Sequence, residues 1–319
     1  MLMTERHNSG TDRAQGAMLF GAAMVFQLAV ITAISASAMA APAGANLSSA
    51  KSWVYQLQQV EPGLIAASSY DLAVIDFARD GSSEQAFSQA EVALMQRKPD
   101  GGRRIVLAYL SIGEAEDYRS YWNGEWADSP PTWLGEENPD WPGNYAVRYW
   151  DPQWQDIILG GNAAYLGAIL DAGFDGIYLD RIDAFEVDDA TMARAARMQT
   201  MAEFVAAIAR YGRQRHPGFL VVGQNGEELL GNPIYADAID AVGKEDLFFG
   251  LQGDGSLNSK SELRASLTPL QRFLASGKPV FIVEYLDSPQ AKDHARRQAA
   301  ALGVPLFIGN RELDDVQSR

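Results

Sequence analysis

From Trp53 onward the chain repeats one pattern: a short apolar run, a charged or polar tip, then a stretch whose apolar residues recur at helical spacing. The apolar runs are Val54–Leu57, Leu72–Asp76, Ile105–Leu110, Gly176–Asp180, Leu220–Gln224, Ala238–Val242, Val280–Glu284 and Val304–Ile308. Their β-branched and aromatic content predicts eight strands. Helical periodicity is clearest in Ala163–Ala172, Met192–Arg215 and Leu263–Ser276. Strands alternating with helices imply a parallel sheet with right-handed crossovers. Eight such units imply an α/β fold of the (β/α)8 TIM barrel kind. An open doubly wound sheet is the alternative, but no Gly-rich phosphate loop follows the first strand. With no internal repeat and no second domain, residues 53–319 read as a single barrel.

Three stretches fall outside this rhythm. Residues 1–16 are polar with Arg6 and Arg13, Ala17–Ala36 is apolar, and Ala36-Ser37-Ala38-Met39-Ala40 ends in small residues. That is the pattern of a signal peptide over residues 1–40 with an Ala-x-Ala cleavage site, followed by a flexible lead-in over 41–52. It predicts a secreted or periplasmic protein; an uncleaved N-terminal membrane anchor is the alternative. Tyr121–Pro152 is a long Trp- and Pro-rich segment after the third strand, and Gly250–Ser261 is a Gly/Ser/Asn-rich loop after the sixth. Loops of such length tend to be functional or disordered, and the many aromatics of the first argue against disorder.

Composition narrows the chemistry. With 26 basic and 41 acidic residues the formal net charge is -15, which argues against a phosphate-backbone partner and an anionic membrane surface. There is no cysteine, so disulfides, thiolate metal sites and Cys nucleophiles are excluded. His7, His216 and His294 are the only histidines, and none follows a candidate strand. Serine–histidine triads and His-rich zinc sites therefore drop out. No cofactor is implied, and Asp76, Asp180 and Asp183 lack metal-specific spacing.

Ligands bind at the C-terminal ends of the strands in a parallel barrel. Those ends carry Asp76; Tyr109, Ser111 and Glu114; Asp180, Arg181 and Asp183; Asn225, Glu227 and Glu228; Lys244, Glu245 and Asp246; Glu284 and Tyr285; and Asn310 and Arg311. Several carboxylates around one hollow, with aromatics and no histidine, suit glycoside hydrolysis. One carboxyl stays protonated to serve the leaving oxygen, and a second stays ionised as nucleophile or base. Trp126, Trp133 or Trp150 would stack on sugar rings. Taken singly, a carboxylate at a strand tip can also be a helix cap or half of a salt bridge. Glu227 and Glu228 in particular could simply open the next helix.

Four segments resemble one family. They are Ala108-Tyr109-Leu110-Ser111-Ile112-Gly113-Glu114-Ala115-Glu116, Phe174 to Asp183, Gln224-Asn225-Gly226-Glu227-Glu228-Leu229-Leu230 and Gly243 to Gly250. In this order they are similar to glycoside hydrolase family 114, and more closely to its bacterial and archaeal branch of secreted glycosidases. The resemblance runs from about Trp53 to Asn310. It implies a (β/α)8 barrel with endo-α-1,4-polygalactosaminidase-like activity on a galactosamine-containing polysaccharide. Its catalytic candidates fall on Asp180 and on Glu228 or Glu227. Asp76, Tyr109, Glu114, Arg181, Asp183, Asn225, Lys244, Glu245, Glu284 and Tyr285 would bind substrate. The enzyme is expected to be a monomer. The alternative is a non-catalytic, polysaccharide-binding barrel of an exopolysaccharide system.

Overall fold

The computed structural model describes residues 46–161 and 164–316. The expected leader and anchor lie outside the described residues. Eight parallel strands form one sheet: β1 (Trp53–Gln56), β2 (Leu72–Ile75), β3 (Ile105–Ser111), β4 (Gly176–Asp180), β5 (Leu220–Gln224), β6 (Ala241–Glu245), β7 (Val280–Tyr285) and β8 (Leu306–Gly309). They follow one another in chain order, each hydrogen-bonded to the next. The sheet curls into a nearly closed barrel. Beyond the end of β1, Leu57 and Gln58 donate to the Leu313 carbonyl past the end of β8, at 2.8 and 3.0 Å.

Strands β1, β2, β3, β5 and β7 are buried along their whole length, so they read as continuous apolar runs rather than alternating ones. Helices wrap the outside: α1 (Pro62–Ala67), α2 (Gln89–Met95), α3 (Pro152–Leu159), α4 (Tyr165–Ala172), α5 (Arg194–Arg215), α6 (Pro233–Ala238), α7 (Lys260–Ala275) and α8 (Pro289–Leu302). Ser88 with Glu91, and Ser259 with Glu262, form reciprocal capping boxes that fix where α2 and α7 begin.

Register decides what points inward. Across the parallel ladder Tyr55 pairs with Val74, Val74 with Leu107, Tyr109 with Tyr178 and Gly243 with Phe281. Paired residues share a face, and side chains alternate along each strand. The interior is filled with rings: Trp53, Tyr55, Tyr178 and Phe281. Tyr55 and Tyr178 lie 5.1 Å apart between centroids, and Trp53 and Phe281 5.8 Å. Trp53 Nε1 donates to the Ile282 carbonyl at 3.1 Å. Gly243 leaves room for this packing. A Cβ there would stand 2.0 Å from the Tyr178 hydroxyl and 2.5 Å from its ring carbon.

The two long segments contain structure of their own. The Trp-rich one supplies two strands, Leu134–Glu137 and Asn144–Val147, to a three-stranded antiparallel flap completed by the preceding Glu114–Glu116, with Asn144–Val147 in the centre. The Gly-rich one holds a small hairpin of Phe249–Gly250 and Gly253–Leu257. Both rise on the C-terminal side of the barrel.

Gly243→Ala should overpack the interior and destabilise the fold by about 1–3 kcal/mol. Urea unfolding would check this; a midpoint equal to wild type would show that Tyr178 can move aside.

Candidate active site

Strand alternation selects the residues that crown the barrel. Tyr178 points inward, so Asp180, two residues on, points into the mouth from the end of β4. Gly243 faces Tyr178, so Glu245 stands over the mouth from β6. By the same parity Tyr55, Tyr109, Gln224 and Tyr285 reach the same space. All six residues line one cleft of about 440 Å³. The opposite parity carries Lys244 and Glu284 to the outside of the strand wall.

The floor of the cleft is a pair of carboxyls held by neutral donors. Tyr109 donates its hydroxyl to Asp180 Oδ2 at 2.8 Å, and the Arg181 amide donates to Oδ1 at 2.7 Å. Tyr285 donates to Glu245 Oε1, and Gln224 Nε2 donates to Oε2 at 3.0 Å. Burial, then the charge of Glu245, raise Asp180 to about 7; the Tyr109 hydrogen bond opposes this and Asp183 adds to it. Burial holds the Tyr109 and Tyr285 phenols well above their ordinary value, so both remain donors.

The rim is made by sharp turns. Arg181, Asn225 and Asp246 directly follow β4, β5 and β6, and all three adopt left-handed backbone, with φ of 57°, 56° and 52°. Such conformations are uncommon outside glycine and tend to cluster at functional sites. Asn225 Oδ1 accepts from Lys244 Nζ at 3.1 Å and from the Glu245 amide at 3.2 Å, tying the end of β5 to the end of β6. Arg181 is gripped by Glu114 at 3.0 Å and lies 3.8 Å from Asp183. On the opposite flank Arg119 is buried between Asp76 and Glu116, both at 2.7 Å.

Of the residues expected from sequence, the cleft brings together Asp180, Asp76, Tyr109, Arg181, Asp183, Asn225, Glu245 and Tyr285. Glu227, Glu228 and Lys244 instead line an adjoining cavity of about 470 Å³, which shares Asp183, Asn225 and Glu245 with the cleft. Glu227 pairs with Lys244 at 3.1 Å. Burial raises its carboxyl, but the Lys244 ammonium and the Ser266 hydroxyl outweigh that, and the net shift is downward. The Glu228 side chain is 62% exposed and pairs with Arg194 at 2.8 Å. Glu114 sits behind Arg181, outside the cleft lining. Glu284 is fully buried and accepts from the Phe248 and Phe249 amides at 2.7 and 3.2 Å, anchoring the hairpin segment.

The tryptophans also differ from expectation. Trp133 is buried against Trp126 and Trp154, and Trp150 packs on Tyr149. Trp141 lines the cleft in their place, with Tyr118. Gln224 and Arg311, at the ends of the fifth and eighth strands in the sequence, also line the cleft. Sequence reasoning missed Tyr55 and Arg119. Parity within the first strand would have found Tyr55; Arg119 carries no local signal. Among the described residues no three carboxylate or imidazole groups gather as a metal site requires.

A parallel eight-stranded barrel with carboxyls gathered at its strand tips suits a glycoside hydrolase. The sequence profile of glycoside-hydrolase family GH114 matches residues 34–319, and the chain belongs to that family. An uncharacterized protein of Thermotoga maritima is 39% identical over 74% of this chain and 71% of its own length. Another, from Deinococcus radiodurans, is 38% identical over 84% and 83%. Among solved structures, the fold matches the glycoside hydrolase domain of PelA from Pseudomonas aeruginosa, with a TM-score of 0.64 and 20% identity over 84% of this chain and 97% of that one. It also matches Aspergillus fumigatus Ega3 in complex with galactosamine, with a TM-score of 0.62 and 18% identity over 85% and 94%.

Asp180 makes stability depend on pH. The folded state holds this proton more tightly than the unfolded chain, so its contribution declines as pH rises from the ordinary carboxylate range to about 7, and levels off above. Asp180→Asn should match wild type near about pH 3 and be more stable by roughly 2 kcal/mol near about pH 8, after discounting for water in the cleft. Thermal melts of both proteins across that range would check it; a gap that does not widen with pH would refute the assignment.

Proposed function

We propose that this glycoside hydrolase cleaves within a galactosamine-containing polysaccharide, and that Asp180 and Glu245 are its carboxyl pair. The observation that carries this reading is their convergence in one cleft, with Asp180 raised to about 7 by burial and by Glu245. Up to about neutrality Asp180 therefore keeps a proton in the free enzyme. Asp180 passes it to the glycosidic oxygen as the bond to the anomeric carbon breaks. Glu245, steadied by Tyr285 and Gln224, serves the opposite need as nucleophile or as base for water; the span between the two carboxyls sets which.

Two features support the polymer. The cleft and the adjoining cavity meet at Asp183, Asn225 and Glu245, so a chain can cross the barrel mouth and be cut internally. The cleft lining is also acidic: Asp76, Glu116, Asp180, Asp183, Glu245 and Glu312 face only three arginines. An unacetylated galactosamine unit carries the complementary ammonium, and the Ega3 structure holds galactosamine itself. We place the enzyme outside the cytoplasm on the strength of the apolar Ala17–Ala36 run and its Ala-x-Ala end. Among the described residues no helix is long and apolar enough to cross a membrane.

Reducing-end release from partly de-acetylated α-1,4-galactosamine polymer is the direct assay. Asp180→Asn and Glu245→Gln should each lower kcat by roughly a thousandfold or more, while Glu228→Gln loses less than about tenfold. In wild type kcat/KM should fall as pH climbs past about 7, where Asp180 gives up its proton. An active Glu245→Gln would move the chemistry to another carboxylate. Tight polymer binding with no cleavage by wild type would favour the non-catalytic barrel.

A further inference from the structure

We infer that Trp141 is a sugar-stacking platform for a ring bound away from the bond being cut, and that it governs capture of long chains. All seven tryptophans fall among the described residues, and the other six each lie against another aromatic ring. Trp141 makes no such contact among the described residues. It is 54% exposed, and it lines the cleft together with Pro142 and Asn144. A flat aromatic face open to water in the lining of a cleft is able to take the apolar face of a ligand.

The backbone that carries the ring is also tied down. Trp141 sits between Pro139-Asp140 and Pro142-Gly143 at the tip of the flap. Its amide donates to the Asn138 carbonyl at 3.2 Å, and its carbonyl accepts from the Asn144 amide at 3.1 Å. Asn138 caps the Asp140 amide through its side chain at 3.0 Å and donates to buried Glu114 at 3.0 Å. Glu114 grips Arg181, the residue next to Asp180. The Gly143 amide is held by Glu137 at 2.7 Å, and its carbonyl by the Asp117 amide at 2.8 Å. The backbone under the platform is therefore coupled to the catalytic rim by a short chain of polar contacts, and little backbone order remains to be imposed when a ligand arrives.

The ligand class follows from the surface. An indole face takes the C–H face of a pyranose, and in a galacto-configured ring the axial oxygen at C4 leaves the C3, C4 and C5 hydrogens as one apolar patch on the opposite side. An ammonium on the same ring gains from the indole quadrupole as well. This inference rests on the reading of the cleft as a hydrolase site for a galactosamine polymer.

The test uses Trp141→Ala and Trp141→Phe in the full chain, with a long and a short galactosamine substrate. Trp141→Ala should raise KM for the long polymer about tenfold or more, by more than it lowers kcat, and shift the product lengths; Trp141→Phe should restore most of the KM. In Glu245→Gln, galactosamine oligomers should change the tryptophan fluorescence, and that change should vanish in Trp141→Phe, Glu245→Gln. If wild type cuts the polymer yet Trp141→Ala leaves KM and product lengths as they were, the platform is refuted and the hydrolase reading stands. If wild type neither cuts nor binds the polymer, both fall.

Discussion

A carboxyl group keeps its proton near neutrality only where water is scarce and negative charge is close. The barrel mouth supplies both to Asp180. Beneath it lie rings rather than solvent, and Glu245 faces it from two strands away in the sheet. The ring-filled interior is what makes this arrangement possible. Tyrosines on the inward parity end in hydroxyls at the level of the rim, so Tyr109 and Tyr285 each meet one carboxyl with a donor. Aliphatic side chains at those positions would have left one oxygen of each carboxyl without a partner, which a buried polar group tolerates poorly. The mouth is thus costly in stability, and the closely packed core beneath offsets that cost.

The strand rhythm was legible because burial on both faces leaves nothing but apolar residues in most strands. β4 and β5 were bounded correctly, from Gly176 to Asp180 and from Leu220 to Gln224. β6 shows where that reading stops. An apolar-run criterion ends the strand at Val242, because Lys244 and Glu245 are charged. In the structure Ala238 closes α6, and the strand runs from Ala241 to Glu245. That shift of three residues is what moves Glu245 from a loop to a strand tip. The same period-two logic separates Tyr285 from Glu284. Both end β7, yet one faces the cleft and the other faces the amides of Phe248 and Phe249.

The two glutamates after β5 illustrate a different limit. Asn225 and Gly226 both take left-handed backbone, so the chain turns away from the mouth before Glu227 is reached. The residues that follow form a short 3-10 turn, with Glu227 toward Lys244 and Glu228 toward Arg194. Spacing cannot reveal such a turn, although an Asn-Gly pair is a turn signal. The flap is less legible still. Arg119 meets Asp76 from 43 positions away, and the fates of seven tryptophans depend on which rings happen to surround them. Hydrophobicity alone assigns a tryptophan to a core or to a ligand surface with equal ease.

Charge at the mouth is set by where the arginines are drawn. Arg119 is held by Asp76 and Glu116 within the lining, but Arg181 turns toward Glu114, and Arg311 toward Asp246 and Asp254 at 2.9 and 2.6 Å. Glu114, Asp246 and Asp254 do not line the cleft. Arg311 is therefore engaged outside it and Arg181 is shared between Glu114 outside and Asp183 within, while Asp180 and Glu245 receive only neutral donors there. A guanidinium placed directly on either carboxyl would stabilise the ionised form and lower Asp180 toward the ordinary range. Keeping the arginines turned aside preserves the proton on Asp180 and leaves an uncompensated negative field. On the proposed reading the polymer itself supplies the missing cation. An ammonium entering beside Asp183 would neutralise part of that field, so binding of an unacetylated unit and release of the proton from Asp180 are coupled through the same charges.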